Sequence, residues 1–254
     1  MMKKLIFSIF TLWSLFIATE TYASEKQQCS EASKSILTRD LSKQGIESNE
    51  FDAIACKVLP NNHQKILASY LKNLTHYNGG DRFLWRVVLI DQLTGKVVSS
   101  YSDEVQEDGG IRVNEYSIKL DTARYNLNDK TRAVGVRLMI GTSPRCADFF
   151  MSDYLSLFVE KYSDLVPVIL NLPTNIWESL QGEHCEINND TLISKQSNVF
   201  ISMLKHQTND YNDIRITTKV KKETLDQMKD ESVVQVKNLY KTVRFDGKTY
   251  ELNP

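Results

Sequence analysis

Apolar residues recur at helical spacing in the part of the chain that follows its N-terminal apolar run. The apolar residues Ala32, Ile36, Leu37 and Leu41 predict one face of a first helix. Gly45 is the residue expected to end this helix. Ser48 or Asn49 can cap a second helix, and a third follows the break at Pro60. Their apolar faces are Phe51, Ile54, Ala55 and Val58, then Ile66, Leu67, Tyr70, Leu71 and Leu74. We therefore predict a small N-terminal helical cap over residues 24–78.

The apolar period becomes that of β-strands after the turn at residues 78–81. Residues 83–90 are almost entirely apolar, as in a central strand, and residues 96–101 return as the second half of a hairpin. Further alternating segments lie at 132–140, 155–159, 200–204 and 214–220, and Asp246-Gly247 favours a closing hairpin. Residues 221–232, rich in Lys and Glu, are predicted to be a short helix or a solvated loop. The predicted fold class is α+β: the helical cap, then a mainly antiparallel β-sheet over residues 79–254, as a sandwich or partial barrel.

The first 23 residues have the anatomy of a secretory signal peptide. Lys3 and Lys4 precede an uncharged run over residues 5–18, and small residues lead to a predicted cleavage between Ala23 and Ser24. The alternative is an uncleaved membrane anchor, but a spanning helix needs about 20 apolar residues. We therefore predict a protein that is exported to the bacterial periplasm or secreted, with no stable membrane insertion after cleavage.

All four cysteines follow the predicted signal peptide, at Cys29, Cys56, Cys146 and Cys185. An even number of cysteines in an oxidising compartment predicts two disulfides. Of the three pairings, we favour Cys29–Cys56 and Cys146–Cys185, because each pair lies within one predicted region. A zinc site is the alternative, and the lack of any CxxC pair disfavours it.

Composition and charge restrict the class of partner. The chain has 254 residues, of which 41% are hydrophobic and 25% charged, and its formal net charge is −1. These values are those of a globular protein and exclude a disordered chain or a multispan membrane protein. A nucleic-acid binder needs a basic surface, which a nearly neutral chain does not supply. We predict no nucleic-acid partner, and the oligomeric state is left open.

Several phrases of the β-rich region resemble a family of bacterial secreted proteins of unknown function. They are the 83–101 hairpin, residues 120–125, 132–137, 154–170 and 209–214, and Phe-Asp-Gly-Lys-Thr-Tyr at 245–250. The resemblance covers roughly residues 80–252. It implies an extracytoplasmic β-rich protein, and it implies no activity, cofactor or catalytic residue.

No established catalytic signature is present in the sequence, and we predict no catalytic residue, metal ligand or cofactor. Residues 183–186, Glu-His-Cys-Glu, group metal-capable side chains, but neighbours on a strand point to opposite faces. A speculative binding cluster is Asp210, Tyr211 and Asp213, which is also typical of a plain turn. Four arginines on or near predicted strands either line a binding face or sit on the wet side of the sheet: Arg82, Arg86, Arg132 and Arg137.

Two functional hypotheses follow from the sequence. The first is a non-enzymatic periplasmic module that binds or inhibits another envelope protein. The second is a hydrolase of an envelope polymer that uses paired carboxylates, a chemistry that leaves no local motif. A cleft with two facing carboxylates would favour the hydrolase, and a flat sheet with an exposed apolar patch would favour the binding module.

Overall fold

The computed structural model describes residues 27–75, 80–143, 146–182, 185, 191–226, 228–229 and 231–252. The predicted signal peptide, its cleavage site at Ala23 and Ser24, and the predicted boundary between residues 78 and 79 lie outside these residues. The described part of the chain is mostly β-sheet with one short helix, so the β-rich prediction is confirmed.

The helix α1 spans Glu31–Lys43, and eleven strands follow it in the described part of the chain. The strands are β1 Ala53–Leu59, β2 Asn62–Thr75, β3 Arg82–Asp91, β4 Lys96–Gln106, β5 Ile118–Asn126, β6 Arg132–Leu138, β7 Phe149–Lys161, β8 Asp164–Gln181, β9 Thr191–Thr208, β10 Tyr211–Asp226 and β11 Glu231–Val243. Helix α1 starts at the N-cap Ser30, whose hydroxyl oxygen accepts a hydrogen bond from Ser33 N.

Two antiparallel meanders form one large mixed sheet that is not closed. Strands β1–β4 pair in chain order, and so do strands β5–β11. The two meanders meet where β4 runs parallel to β8, at Ser100 and Asp164. Ser100 N also donates a hydrogen bond to Ser163 O, 3.1 Å away. Among the described strands, this short parallel contact is the only strand pairing between the two meanders.

Gln27 links the edge strands β1 and β5, which lie close together without direct pairing. Its side-chain amide donates to Leu120 O over 2.8 Å, and its Oε1 accepts from Leu120 N over 2.6 Å. On the other side, Cys56 N donates to Gln27 O over 3.0 Å. One residue thus satisfies backbone groups of both edges, as a strand would.

The prediction of second and third helices between residues 48 and 74 is wrong, because strands β1 and β2 occupy this region. Strand β2 is buried on both faces: Leu67 and Leu71 enter the core inside the sheet, while Ala68 and Tyr70 face α1. A strand buried on both faces has a continuous apolar run, which periodicity does not distinguish from a buried helix. Of the predicted helical cap, only α1 is present among the described residues.

Helix α1 is held on the sheet by a buried ion pair. Arg86 of β3 donates from Nη2 to Asp40 Oδ1 over 3.0 Å and from Nε to Asp40 Oδ2 over 3.2 Å. The hydroxyl of Tyr70 donates to the same Oδ2 over 2.9 Å. Burial first, and then the Asp40 carboxylate, raise the pKa of Tyr70 well above its usual value. All three side chains therefore fix α1 against β2 and β3.

Both predicted disulfides are present. Cys29 bonds to Cys56 and ties the segment before α1 to β1, while Cys146 bonds to Cys185. Other sequence predictions also hold: residues 83–101 form the β3–β4 hairpin and residues 154–170 lie in the β7–β8 hairpin. Residues 221–226 are neither helix nor loop but the end of β10, and β11 begins at Glu231.

Candidate functional site

The speculative cluster Asp210, Tyr211 and Asp213 does not converge on one site. Asn209 and Asp210 have φ values of 52° and 68° and form the two-residue turn between β9 and β10. The Tyr211 ring packs on Phe245 with centroids 4.5 Å apart. Asp213 is buried, and its Oδ2 lies 2.8 Å from Nδ1 of the exposed His206. The turn geometry accounts for Asp210, and the binding role of the three residues stays a prediction.

Arg137 organises a polar cavity of about 620 Å³ beside the junction of β1 and β5. Its Nε donates to Asp121 Oδ2 and its Nη1 to Asp153 Oδ2, both over 2.9 Å, and Nη1 also donates to Thr174 Oγ1 over 3.1 Å. The hydroxyl of Tyr125 donates to Asp121 over 2.8 Å. One guanidinium thus links β5, β6, β7 and β8.

Asp121 is held in its ionised form in this cavity. Burial would raise the pKa of its carboxyl, but hydrogen bonds from Ala123 N, Tyr125 and Arg137 lower that pKa below its ordinary value. A general acid in a glycosidase needs the opposite, a raised pKa. The geometry is therefore that of a structural ion pair with both carboxylates on one cation.

The four arginines of the sequence hypothesis do not form one face. Arg86 is buried on Asp40, and Arg137 holds Asp121 and Asp153. Arg132 donates to Thr122 O, and Arg82 lies 3.5 Å from Glu104. Arg86 therefore contacts helix α1, whereas the other three have partners on neighbouring strands of the sheet. The metal-capable segment 183–186 lies outside the described residues except for Cys185, whose sulfur is in the disulfide.

The C-terminal half of β8 and the strands β9, β10 and β11 form a layer that we call the arm. One face of the arm contains a groove of about 510 Å³ that is open to solvent. Its wall is mainly apolar and is formed by Leu170, Leu172, Pro173, Ile176, Val199, Ile216, Leu239 and Leu252. Leu170 and Leu239 are 42% and 50% exposed. Exposed apolar patches of this kind mark interaction sites.

The opposite face of the arm also exposes large apolar side chains. Phe200 of β9 lies across Thr217 of β10, which in turn lies across Tyr240 of β11, so the three form one cross-strand row. Phe200 and Tyr240 are 56% and 65% exposed. The arm therefore exposes aromatic and aliphatic groups on its paired strands.

Strand β11 is the outer edge of the arm. The sequence predicted only its C-terminal part, with Leu239 and Val243, as the first strand of the closing hairpin. The strand pairs only with β10 among the described strands, and its residues from Glu231 to Thr242 are exposed. The Lys- and Glu-rich stretch before it suggested a solvated segment. The β-branched run Val-Val-Gln-Val at 233–236 is the signal that favours a strand here.

The described ranges contain neither a cluster suited to a metal ion nor a helix suited to span a membrane. No group of three or more His, Cys, Asp or Glu side chains in these ranges is arranged to hold a metal ion. In the same ranges, no helix is both long and apolar enough to span a bilayer. The two disulfides indicate an oxidising environment, extracellular or periplasmic.

Comparisons of the chain with protein-family models, with curated proteins and with solved structures found no significant match. The family resemblance of the sequence therefore stays a resemblance, and the site itself has to support any functional argument.

Proposed function

We propose that this protein is a non-enzymatic binding module of the bacterial periplasm that holds, and thereby inhibits or positions, another envelope protein. The groove of the arm carries the proposal, because a concave apolar surface open to solvent suits apolar side chains of a partner chain. Export through the predicted signal peptide would bring the chain to the compartment in which its two disulfides form. In this proposal the large sheet, as a partial barrel, would serve as the support for the arm.

The alternative function, a hydrolase with paired carboxylates, would use Asp121 and Asp153 in the polar cavity. Both carboxylates bind Arg137, and the pKa of Asp121 is lowered rather than raised. This pairing suits stability more than proton transfer. We therefore favour the binding module.

The experiment is a capture with matched leucine variants. The protein carrying both disulfides is immobilised, and envelope extract from the source bacterium is passed over it. Leu170→Glu places a charge in the groove, whereas Leu93→Glu makes the same change in the β3–β4 turn, where Leu93 is 78% exposed. We expect one envelope protein to be retained by the wild type and by Leu93→Glu, and to be lost with Leu170→Glu.

The captured protein is then titrated against the purified variants by calorimetry. A charge buried in an apolar contact should weaken binding by about 100-fold. Equal affinity of wild type and Leu170→Glu, or hydrolysis of an envelope polymer that Asp121→Asn abolishes, would contradict the proposal.

A further inference from the structure

The outer edge of β11, with which no other described strand pairs, is well suited to pair with a further strand. The strand pairs with β10 over its whole length without a register shift, from Val243 opposite Ile214 to Glu231 opposite Asp226. It contains no Pro and no Gly, and no bulge turns the edge away. Native edges usually carry such protections, since unpaired N–H and C=O groups recruit other strands. Here the protection is limited to two lysines, Lys237 and Lys241.

Strand β11 exposes apolar side chains to solvent, which is unfavourable in free energy. Val233, Val236 and Tyr240 are 60%, 57% and 65% exposed, although they belong to the residue types that strands usually pack. Pairing with a further strand would cover part of this surface and satisfy the edge backbone groups.

The sequence of β11 is complementary to itself in one antiparallel register. In an antiparallel pair, two directly opposite residues either both direct their backbone N–H and C=O groups at each other or both direct them away. These two orientations alternate along a strand, so a two-fold axis has to pass through a residue that lies opposite its own copy. An axis at Val236 gives the cross-strand pairs Glu231–Lys241, Ser232–Tyr240, Val233–Leu239, Val234–Asn238, Gln235–Lys237 and Val236–Val236.

Other symmetric registers are less favourable. An axis at Lys237 sets this lysine opposite its own copy, and an axis at Leu239 sets Lys237 opposite Lys241. An axis at Val234 pairs Glu231 with Lys237 but leaves residues 238–243 without a partner. The register at Val236 alone joins an overlap of eleven of the thirteen residues of β11 with an opposite-charge pair at both ends.

We propose that two copies of this chain associate through their β11 edges, antiparallel and in register about Val236, into a two-fold symmetric dimer with one continuous sheet. This inference goes beyond the proposed function and does not depend on it. Because opposite residues of an antiparallel pair point to the same side, both grooves open on one face of the dimer. The dimer would therefore offer two equal binding grooves side by side.

The test measures the dimer dissociation constant by sedimentation velocity, with both native disulfides intact. Lys241→Glu sets Glu opposite Glu231 at both ends, and Glu231→Lys sets Lys opposite Lys241. Each single variant should raise the dissociation constant by about tenfold, because two cross-strand charge pairs change from attraction to repulsion. The double variant Glu231→Lys with Lys241→Glu exchanges the charges and should restore dimerisation to within about twofold.

Lys237→Glu is the matched control, because it makes the same charge change on the same strand. Gln235 lies opposite in the proposed register, so this variant should leave the dissociation constant nearly unchanged. Strong weakening by Lys237→Glu, with little effect of Lys241→Glu, would instead indicate an axis at Val234 and overturn the register.

A cysteine placed on the axis gives an independent readout. Val236→Cys should form a disulfide between two copies under mild oxidation, because Cα atoms of opposite residues lie about 4.5–5.5 Å apart. Asn238→Cys should not, since Val234 lies opposite it. A wild type that stays monomeric at all concentrations, a dimer insensitive to both charge reversals, or equal cross-linking at residues 236 and 238 would overturn the proposal.

Discussion

Two arginines form ion pairs that hold helix α1 on the sheet and link neighbouring strands, in addition to the apolar contacts of the core. Arg86 fixes α1 through Asp40, and Arg137 ties four strands through Asp121 and Asp153. The sequence placed Arg86 and Arg137 on predicted strands, but it did not reveal their partners, because Asp40 lies 46 residues before Arg86. Such long-range pairs depend on the topology of the sheet and leave no local pattern.

Asp121 should make the stability of the protein depend on pH in the acid range. Its pKa is lowered in the folded state, so the unfolded chain takes up a proton before the folded chain does. The stabilisation is therefore fully present above about pH 5 and is lost as the pH falls through the folded pKa. Asp121→Asn should lower the free energy of unfolding at neutral pH by about 2 kcal/mol and flatten its fall toward acid.

Urea unfolding between neutral and acid pH measures this effect. Asp129→Asn, which changes an exposed aspartate in the β5–β6 turn, controls for the loss of one negative charge. An unchanged pH profile for Asp121→Asn would show that the ion pair contributes nothing measurable.

At the level of elements, the sequence predicted strands that have one solvent-exposed face or that end in a clear turn. It did not predict strands that are buried on both faces and lack such a turn. Strand β3 was predicted because its apolar run ends in the turn at residues 92–95, which defines a hairpin. Strand β2 has the same double burial, but its apolar residues fall by chance at helical intervals. Only the C-terminal part of strand β11 was predicted, for the opposite reason, since an exposed edge has no buried face to impose alternation. The groove could not be predicted, because it joins four strands and a C-terminal residue.

Gln27 connects two strands that do not pair directly: its backbone and side chain bond β1 and β5 in the place where a strand would otherwise lie. Gln27→Glu keeps the size of the side chain but removes its N–H donor and sets a carboxylate against Leu120 O. We expect a loss of about 1–3 kcal/mol in the free energy of unfolding and faster amide exchange at Leu120. Gln92→Glu makes the same change at an exposed amide that donates to His63 O, and should have little effect. Protection at Leu120 equal to that of the wild type would contradict this role.

At the level of the whole molecule, the two disulfides act on different parts of the sheet. The Cys29–Cys56 bond holds Gln27 in place between the edge strands, whereas Cys146–Cys185 lies on the side of the second meander. Their sequence separations of 27 and 39 residues are similar, so the chain-entropy contributions should also be similar.

Replacing each disulfide by a pair of serines should lower the free energy of unfolding by similar amounts, but should change amide exchange in different parts of the sheet. Cys29→Ser with Cys56→Ser and Cys146→Ser with Cys185→Ser should each cost about 3–4 kcal/mol. Only the first pair should also speed amide exchange in β5, because it releases Gln27 from β1. Hydrogen exchange read by mass spectrometry tests this. Equal loss of protection in β5 for both double variants would show that the first disulfide has no special relation to β5.

The division of the sheet into two meanders has a consequence for how the chain folds. Within each meander every strand pairs with its neighbour in sequence, so these contacts close short loops at low entropic cost. The joins are of another kind: Ser100 must meet residue 164, and Gln27 must meet Leu120, 93 residues away. Contacts of such sequence separation form slowly. The meanders should therefore appear early in refolding and the joins last, which leaves the edges of β1 and β5 open to other chains until Gln27 docks.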